Sequence, residues 1–219
     1  MKATLIPVLS VLVPTIAAAQ SESSGGGREV AAVDSAFELG VSAGYSQGGG
    51  KLGGGMADLE DVAGPGAAIE IDVGYRVIPQ LTIGAYGTFA AYDGGDLLDA
   101  DTSVYGATAG IQAAWHIRPD RSVDPWISLG TGWKALWLDP DEGTGTSLQG
   151  LELARLQIGV DYRISKDIAI APVIGGSLGM FLAEDSPMTD GYDELENKEV
   201  HFTGFAGLVG RFDLGGSRR

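Results

Sequence analysis

The sequence predicts an all-β chain whose eight antiparallel strands run up and down into a closed barrel, and three observations carry that reading. The first is composition: of 219 residues 35 are Gly, 44% are hydrophobic, only 20% are charged and none is Cys. Glycine at that density breaks helices, and a chain this apolar is not a disordered one. The second is alternation. Between Ala36 and Leu214, apolar residues take turns with polar or small ones along eight successive segments, the signature of strands with two unlike faces. The third is spacing, since short and long polar connections alternate between the segments. Some classes are excluded at once. No run of about 18 apolar residues follows the first twenty, so no mature membrane helix is expected. Without Cys there is no disulfide framework, thiolate metal site or lipid-modified thiol. A net charge of −15 makes nucleic acid an unsuitable partner.

Taken in order, residues 1–19 have the form of a secretory signal peptide. Lys2 supplies the positive start, Leu5 to Ile16 the apolar stretch, and Ala17-Ala18-Ala19 the small-residue cleavage site. Residues 20–35, polar and rich in Gly and Ser, are expected to be a flexible lead-in. The barrel is expected over 36–214 and a short tail over 215–219, with no further domain. In the first strand Phe37, Leu39, Val41, Ala43 and Tyr45 share one face, and Glu38, Gly40, Ser42 and Gly44 the other. The second repeats this more sharply, with Ile69, Ile71, Val73, Tyr75 and Val77 opposite Glu70, Asp72, Gly74 and Arg76. Six more follow at about 81–92, 104–117, 126–138, 151–164, 168–181 and 201–214. Each is long enough for a tilted strand to cross a bilayer, which takes about 9–11 residues.

The connections divide by length and charge. Short ones fall at 78–80, 118–125 and 165–167, and long ones at 48–65, 93–103, 139–149 and 183–200. The long connections hold seventeen acidic residues against Lys51 and Lys198, whereas the short ones are neutral. Short turns at one end and long loops at the other are the habit of outer-membrane barrels. Four strands also end in an aromatic–polar–aliphatic triplet, placing Tyr75, Trp115, Tyr162 and Phe212 at one level beside short turns or the C-terminal end. Outward rings at one height make an interfacial girdle. With the apolar face outward, the lumen receives Glu38, Glu70, Asp72, Asp161 and Asp213 against Arg76, Lys134, Arg155, Arg163 and Arg211, together with Gln112, Gln157, His116 and His201. Glu152 falls on the opposite parity. Eight strands leave an interior that side chains just fill, so five acids facing five bases predict a salt-bridged, hydrogen-bonded filling with Gly and other small residues making room for it.

On these strands, loops and the closing Phe212-Asp213-Leu214, the chain resembles the small eight-stranded outer-membrane β-barrels of the OmpA/OmpX-like group, a likeness of pattern that covers 36–214. The resemblance implies a location in the cell outer membrane, contact with its lipids and lipopolysaccharide, and a final strand read by the barrel-insertion machinery. Two departures stand out. The chain continues through Gly215-Gly216-Ser217-Arg218-Arg219, and Val209 stands where the group's ending carries Gly.

The expected function is non-enzymatic, a structural or surface-interaction role carried by the loops, with no cofactor, no catalytic residue and no metal, and with the surface partner unnamed. Three alternatives stand beside it. One is a small channel or transporter for small or apolar solutes. The second is a lipid A-modifying enzyme, a reading the resemblance raises and for which His201 with Ser177 and a loop carboxylate are the candidates. The third is a soluble barrel with its apolar face turned inward. The acid runs Asp93, Asp96, Asp99, Asp101 and Asp139, Asp141, Glu142 do not have calcium-loop spacing and are read as solvated loops.

Overall fold

Period-two segments that bury only one face cannot stand alone, and here they pair into a single closed wall. The computed structural model describes residues 31–33, 35–53, 58–98, 102–140, 145–186 and 191–216. The signal segment and most of the lead-in lie outside them. The elements are β1 (Phe37–Gly49), a single helical turn α1 (Leu59–Val62), β2 (Ala63–Ile78), β3 (Leu81–Gly94), β4 (Thr102–His116), β5 (Val123–Pro140), β6 (Thr146–Arg163), β7 (Ile168–Asp185), the two-residue β8 (Asp193–Glu194) and β9 (Val200–Leu214). Each barrel strand is antiparallel to its neighbours, in the order β6-β5-β4-β3-β2-β1-β9-β7, and β6 pairs with β7 to complete the ring. Closure removes both sheet edges. The first and last barrel strands lie side by side, from Phe37 opposite Leu214 to Gly49 opposite Phe202. β8 extends the ladder of β7 above the rim.

The strands outrun the sequence expectation at the long-loop end. β2 begins at Ala63 and β7 reaches Asp185, so part of each expected loop continues the wall. The reason is a change in what faces inward. Near this rim the buried side chains are Val104, Leu136, Leu148 and Phe181, packed against Leu52, Leu59 and Val62 of the first long loop and against Leu195. An apolar-outward alternation does not continue here, where the apolar side chains point in. At the opposite end the described residues 31–33 lie against the barrel. Ala32 and Val33 are buried, and the Ala32 amide donates to the Pro119 carbonyl at 2.7 Å, folding the chain under the barrel against the β4–β5 turn.

Small inward residues leave space for large ones. A Cβ at Gly159 would lie 2.4 Å from Trp126 Cζ2, so the indole occupies the volume a side chain would need. Gly159→Leu is expected to cost about 1–3 kcal/mol through overpacking, measured as a lower urea midpoint of the folded, heat-modifiable gel band.

Candidate functional site

The lumen collects the charged side chains that the alternation assigns to the inner face. Glu38, Glu70, Asp72, Arg76, Lys134, Arg155, Asp161, Arg163, Arg211 and Asp213 are all buried. They sit in two tiers. In the tier near the short turns, Glu38 on β1 accepts from Arg76 Nη2 and, at 2.7 Å, from Arg211 Nη1. Arg163 Nη1 donates to Asp213 Oδ2 at 2.7 Å, and Arg211 Nε lies 3.4 Å from Asp161 Oδ1. The Arg211 guanidinium stacks 4.1 Å above the Trp126 ring, whose Nε1 donates to Asp161 Oδ1 at 2.9 Å. This tier ties β1, β2 and β9 to β5 and β6 through the middle of the barrel.

The second tier settles the width of the lumen. Arg155 on β6 donates to Glu70 on β2. In the ring order three strands separate β2 from β6 on either side, so this ion pair joins opposite walls. Tyr86 on β3 donates to Glu152 on β6, Thr88 donates to Glu70 at 2.9 Å, and the Arg155 guanidinium lies 4.2 Å over the Tyr86 ring. Lys134 Nζ donates to Thr203 Oγ1 at 2.9 Å. Buried charge is tolerated only with such partners. Above this tier, beneath the apolar cap of Leu59, Leu136 and Phe181, lies a cavity of about 80 Å³ whose floor is polar (Glu70, Lys134, Arg155).

Two acids enter the lumen that the sequence reading left out. Glu152 was assigned to the outer parity, yet it is buried and bonded to Tyr86. The cause is a bulge: the register of β6 shifts between Glu152 and Ala154, and one extra residue reverses which side chains point in. The spacing places Asp124 in a short turn. In the structure β5 starts at Val123, and Asp124 is buried with Oδ2 2.8 Å from His116 Nδ1. Among the described residues the buried side chains therefore number seven acids against five bases, not the balanced five and five. An acid directly before Pro125 and Trp126, in a strand whose partner His116 lies just across a short turn, was the available signal.

Both histidines face the interior. His201 is stacked on Phe181 with ring centroids 4.6 Å apart, and neither of its ring nitrogens makes a hydrogen bond. Ser177 lines the cavity but is not a hydrogen-bond partner of that ring. The long-loop acids Asp99, Asp101, Asp141 and Glu142 fall outside the described residues, and the acids of the 193–199 stretch are exposed or half-buried. There the hydrogen bond from Lys198 holds the Glu194 carboxyl below its usual range.

The outer surface is aliphatic. Val41, Ile71, Val73, Ile83, Ile111, Leu129, Ile158, Ile174 and Leu208 are exposed on the wall, a contiguous apolar belt that water does not tolerate. Tyr75, Trp115, Tyr162 and Phe212 point outward at its short-turn edge, with Phe37 edge-on to Tyr75 at 5.2 Å. At the other edge are Tyr45, Trp133 and Phe202, with Phe89 stacked on Tyr105 at 5.8 Å. Tyr105 and Trp115 are ten residues apart on β4. At ~3.3 Å per residue and ~40° of tilt they are ~25 Å apart in height, the thickness of an outer-membrane apolar band.

No protein-family model matches the chain, and no curated protein does. Solved structures do. The crystal structure of Neisserial surface protein A is 14% identical and superimposes with a TM-score of 0.56, covering 81% of this chain and 97% of that one. The outer membrane protein AlkL, solved by solid-state NMR in lipid bilayers, is 11% identical with a TM-score of 0.53, covering 90% of this chain and 99% of that one. By wall, girdles and superposition alike, the chain has the fold of the small eight-stranded outer-membrane β-barrels.

Proposed function

We propose that the chain is an integral outer-membrane barrel with a closed lumen, serving a structural or surface-interaction role through its acidic long loops. The observation that carries this is the Arg155–Glu70 ion pair between opposite walls. A bridge spanning the diameter, with a charged tier on one side and an apolar cap on the other, supports an obstructed water path. Conduction needs an aqueous route with weak, multiple sites, whereas these charges are committed to one another. The histidines argue for a non-enzymatic role in the same way. Among the described residues His201 has no hydrogen-bonded serine or carboxylate to act with, and His116 is buried beside Asp124 at the short-turn end. The loops, with an excess of acids, would meet lipopolysaccharide phosphates favourably only through bridging divalent ions, and the aromatic girdles fit the lipid headgroup boundary. The closing strand would be the segment offered to the insertion machinery.

The capped cavity favours a second reading, binding or passage of a small apolar solute. Planar-bilayer recording separates the two. The purified barrel is expected to show no steady single-channel conductance in 1 M KCl, and reproducible open levels would favour transport instead.

A further inference from the structure

Directly above the β4–β5 turn, three buried side chains converge: His116 at the end of β4, Asp124 at the start of β5 and Asp161 near the end of β6. One ligand atom from each lies within 4.8 Å of the other two. His116 Nδ1 is 2.8 Å from Asp124 Oδ2 and 3.9 Å from Asp161 Oδ2. The first separation is shorter and the second longer than the ~3.3 Å edge of a tetrahedron built on ~2.0–2.1 Å zinc bonds, and with the two carboxylates within 4.8 Å of each other the three side chains must draw together to share one ion.

Each carboxylate is already oriented for the task. Asp124 uses Oδ1 to accept the Arg118 amide at 2.7 Å, leaving Oδ2 turned to the imidazole. Asp161 uses Oδ1 for Trp126 Nε1 at 2.9 Å, with Arg211 Nε at 3.4 Å from the same oxygen. Its Oδ2, fully buried, accepts no hydrogen bond. Asp161 thus has one oxygen fixed by a donor and the other unpartnered toward the shared centre, whereas Asp124 Oδ2 is held by His116 Nδ1, a contact that a bound ion would replace; outer partners orient metal ligands in this way. A buried carboxylate oxygen with nothing to accept is costly.

Charge supplies an independent argument. Among the described residues the buried charged side chains are seven carboxylates (Glu38, Glu70, Asp72, Asp124, Glu152, Asp161, Asp213) and five cations (Arg76, Lys134, Arg155, Arg163, Arg211). With every carboxylate counted as ionised and both histidines as neutral, the formal excess among these side chains is two negative charges, the charge of one divalent cation.

From this geometry we propose that His116, Asp124 and Asp161 form a structural site for a divalent transition cation of the zinc class, with water completing the coordination. One imidazole and two carboxylates suit that class better than calcium or magnesium, which take oxygen ligands alone. The ion would tie β4, β5 and β6 together at the end of the barrel where the chain also folds underneath.

The full chain, refolded in detergent micelles with one equivalent of Zn²⁺ and desalted, is expected to retain about one zinc per barrel. His116→Ala and Asp161→Asn, each checked for folding by heat-modifiable gel migration, should retain at least tenfold less. Zinc K-edge absorption on the wild type, which does not depend on either variant folding, should show one imidazole in the shell. Wild-type barrels that retain less than a tenth of an equivalent would overturn the proposal. So would equal retention by a folded variant, or an all-oxygen shell with no imidazole, the signature of zinc held by the acidic loops.

Discussion

Glu38→Ala is expected to destabilise the barrel by about 3–5 kcal/mol, the range for removing one partner of a buried ion pair. Glu38 is 2% exposed and accepts from two guanidiniums, Arg76 and Arg211. Without it Arg76 keeps only the Pro79 carbonyl at 3.1 Å and Asp213 at 3.8 Å, and Arg211 keeps Asp161 at 3.4 Å. Neither replaces what is lost. The cost arises from two stranded cations more than from one missing carboxylate, since burying unpaired charge is penalised well beyond the worth of the pair. Glu38→Gln, which still offers an amide oxygen to one arginine, should fall between the two. The measurement is urea unfolding in lipid vesicles, followed by the shift between folded and unfolded gel bands. The exposed Lys198–Glu194 pair is the control, and Glu194→Ala should leave the midpoint unchanged because solvent and salt already screen that contact. A Glu38→Ala midpoint indistinguishable from the control would mean that the charged tier is solvated, and the closed lumen would go with it.

Much of this interior was legible because the period of a strand is two and the barrel has one wet side. Once Ile69, Ile71 and Val73 were placed outward, Glu70, Asp72 and Arg76 had to point in. The same reasoning put Arg155, Asp161 and Arg163 inside, and it required no knowledge of partners. Pairing was not legible. Nothing in the spacing says that Glu70 meets Arg155, 85 positions away, because that contact depends on where the ring closes. Glu152 shows a second limit: a bulge is a local insertion that inverts parity without changing composition. The apolar cap was missed for a different reason. Leu52, Leu59 and Val62 stand among Gly and acidic residues, and Val104, Leu136 and Phe181 point in at strand ends, where an apolar residue looks the same whether it meets lipid or another side chain. The fold thus followed from periodicity, while the closure of its two ends depended on contacts between segments remote in sequence.

The membrane assignment rests on what surrounds the exposed apolar side chains, and two of them isolate that question. Ile111 on the outer face of β4 is 66% exposed, and Leu97 in the β3–β4 connection is 64% exposed. By accessible area they are equivalent. By height they are not, since Ile111 lies about midway between the Tyr105 and Trp115 girdle positions whereas Leu97 lies past the end of β3. If both faced water, arginine at either site would be nearly neutral. With hydrocarbon around the belt, Ile111→Arg must desolvate a guanidinium at the apolar midplane and is expected to cost about 2–4 kcal/mol. Leu97→Arg, in the aqueous loop region, should change stability by no more than about 0.5 kcal/mol. Reversible unfolding from lipid vesicles gives both values on one scale. The difference should shrink when the barrel is moved from vesicles into small detergent micelles, whose thinner, more deformable apolar layer lets the guanidinium reach water. Equal losses at the two positions would place Ile111 in an aqueous or protein-packed environment and would remove the lipid-facing wall from which the inward placement of the lumen charges was inferred.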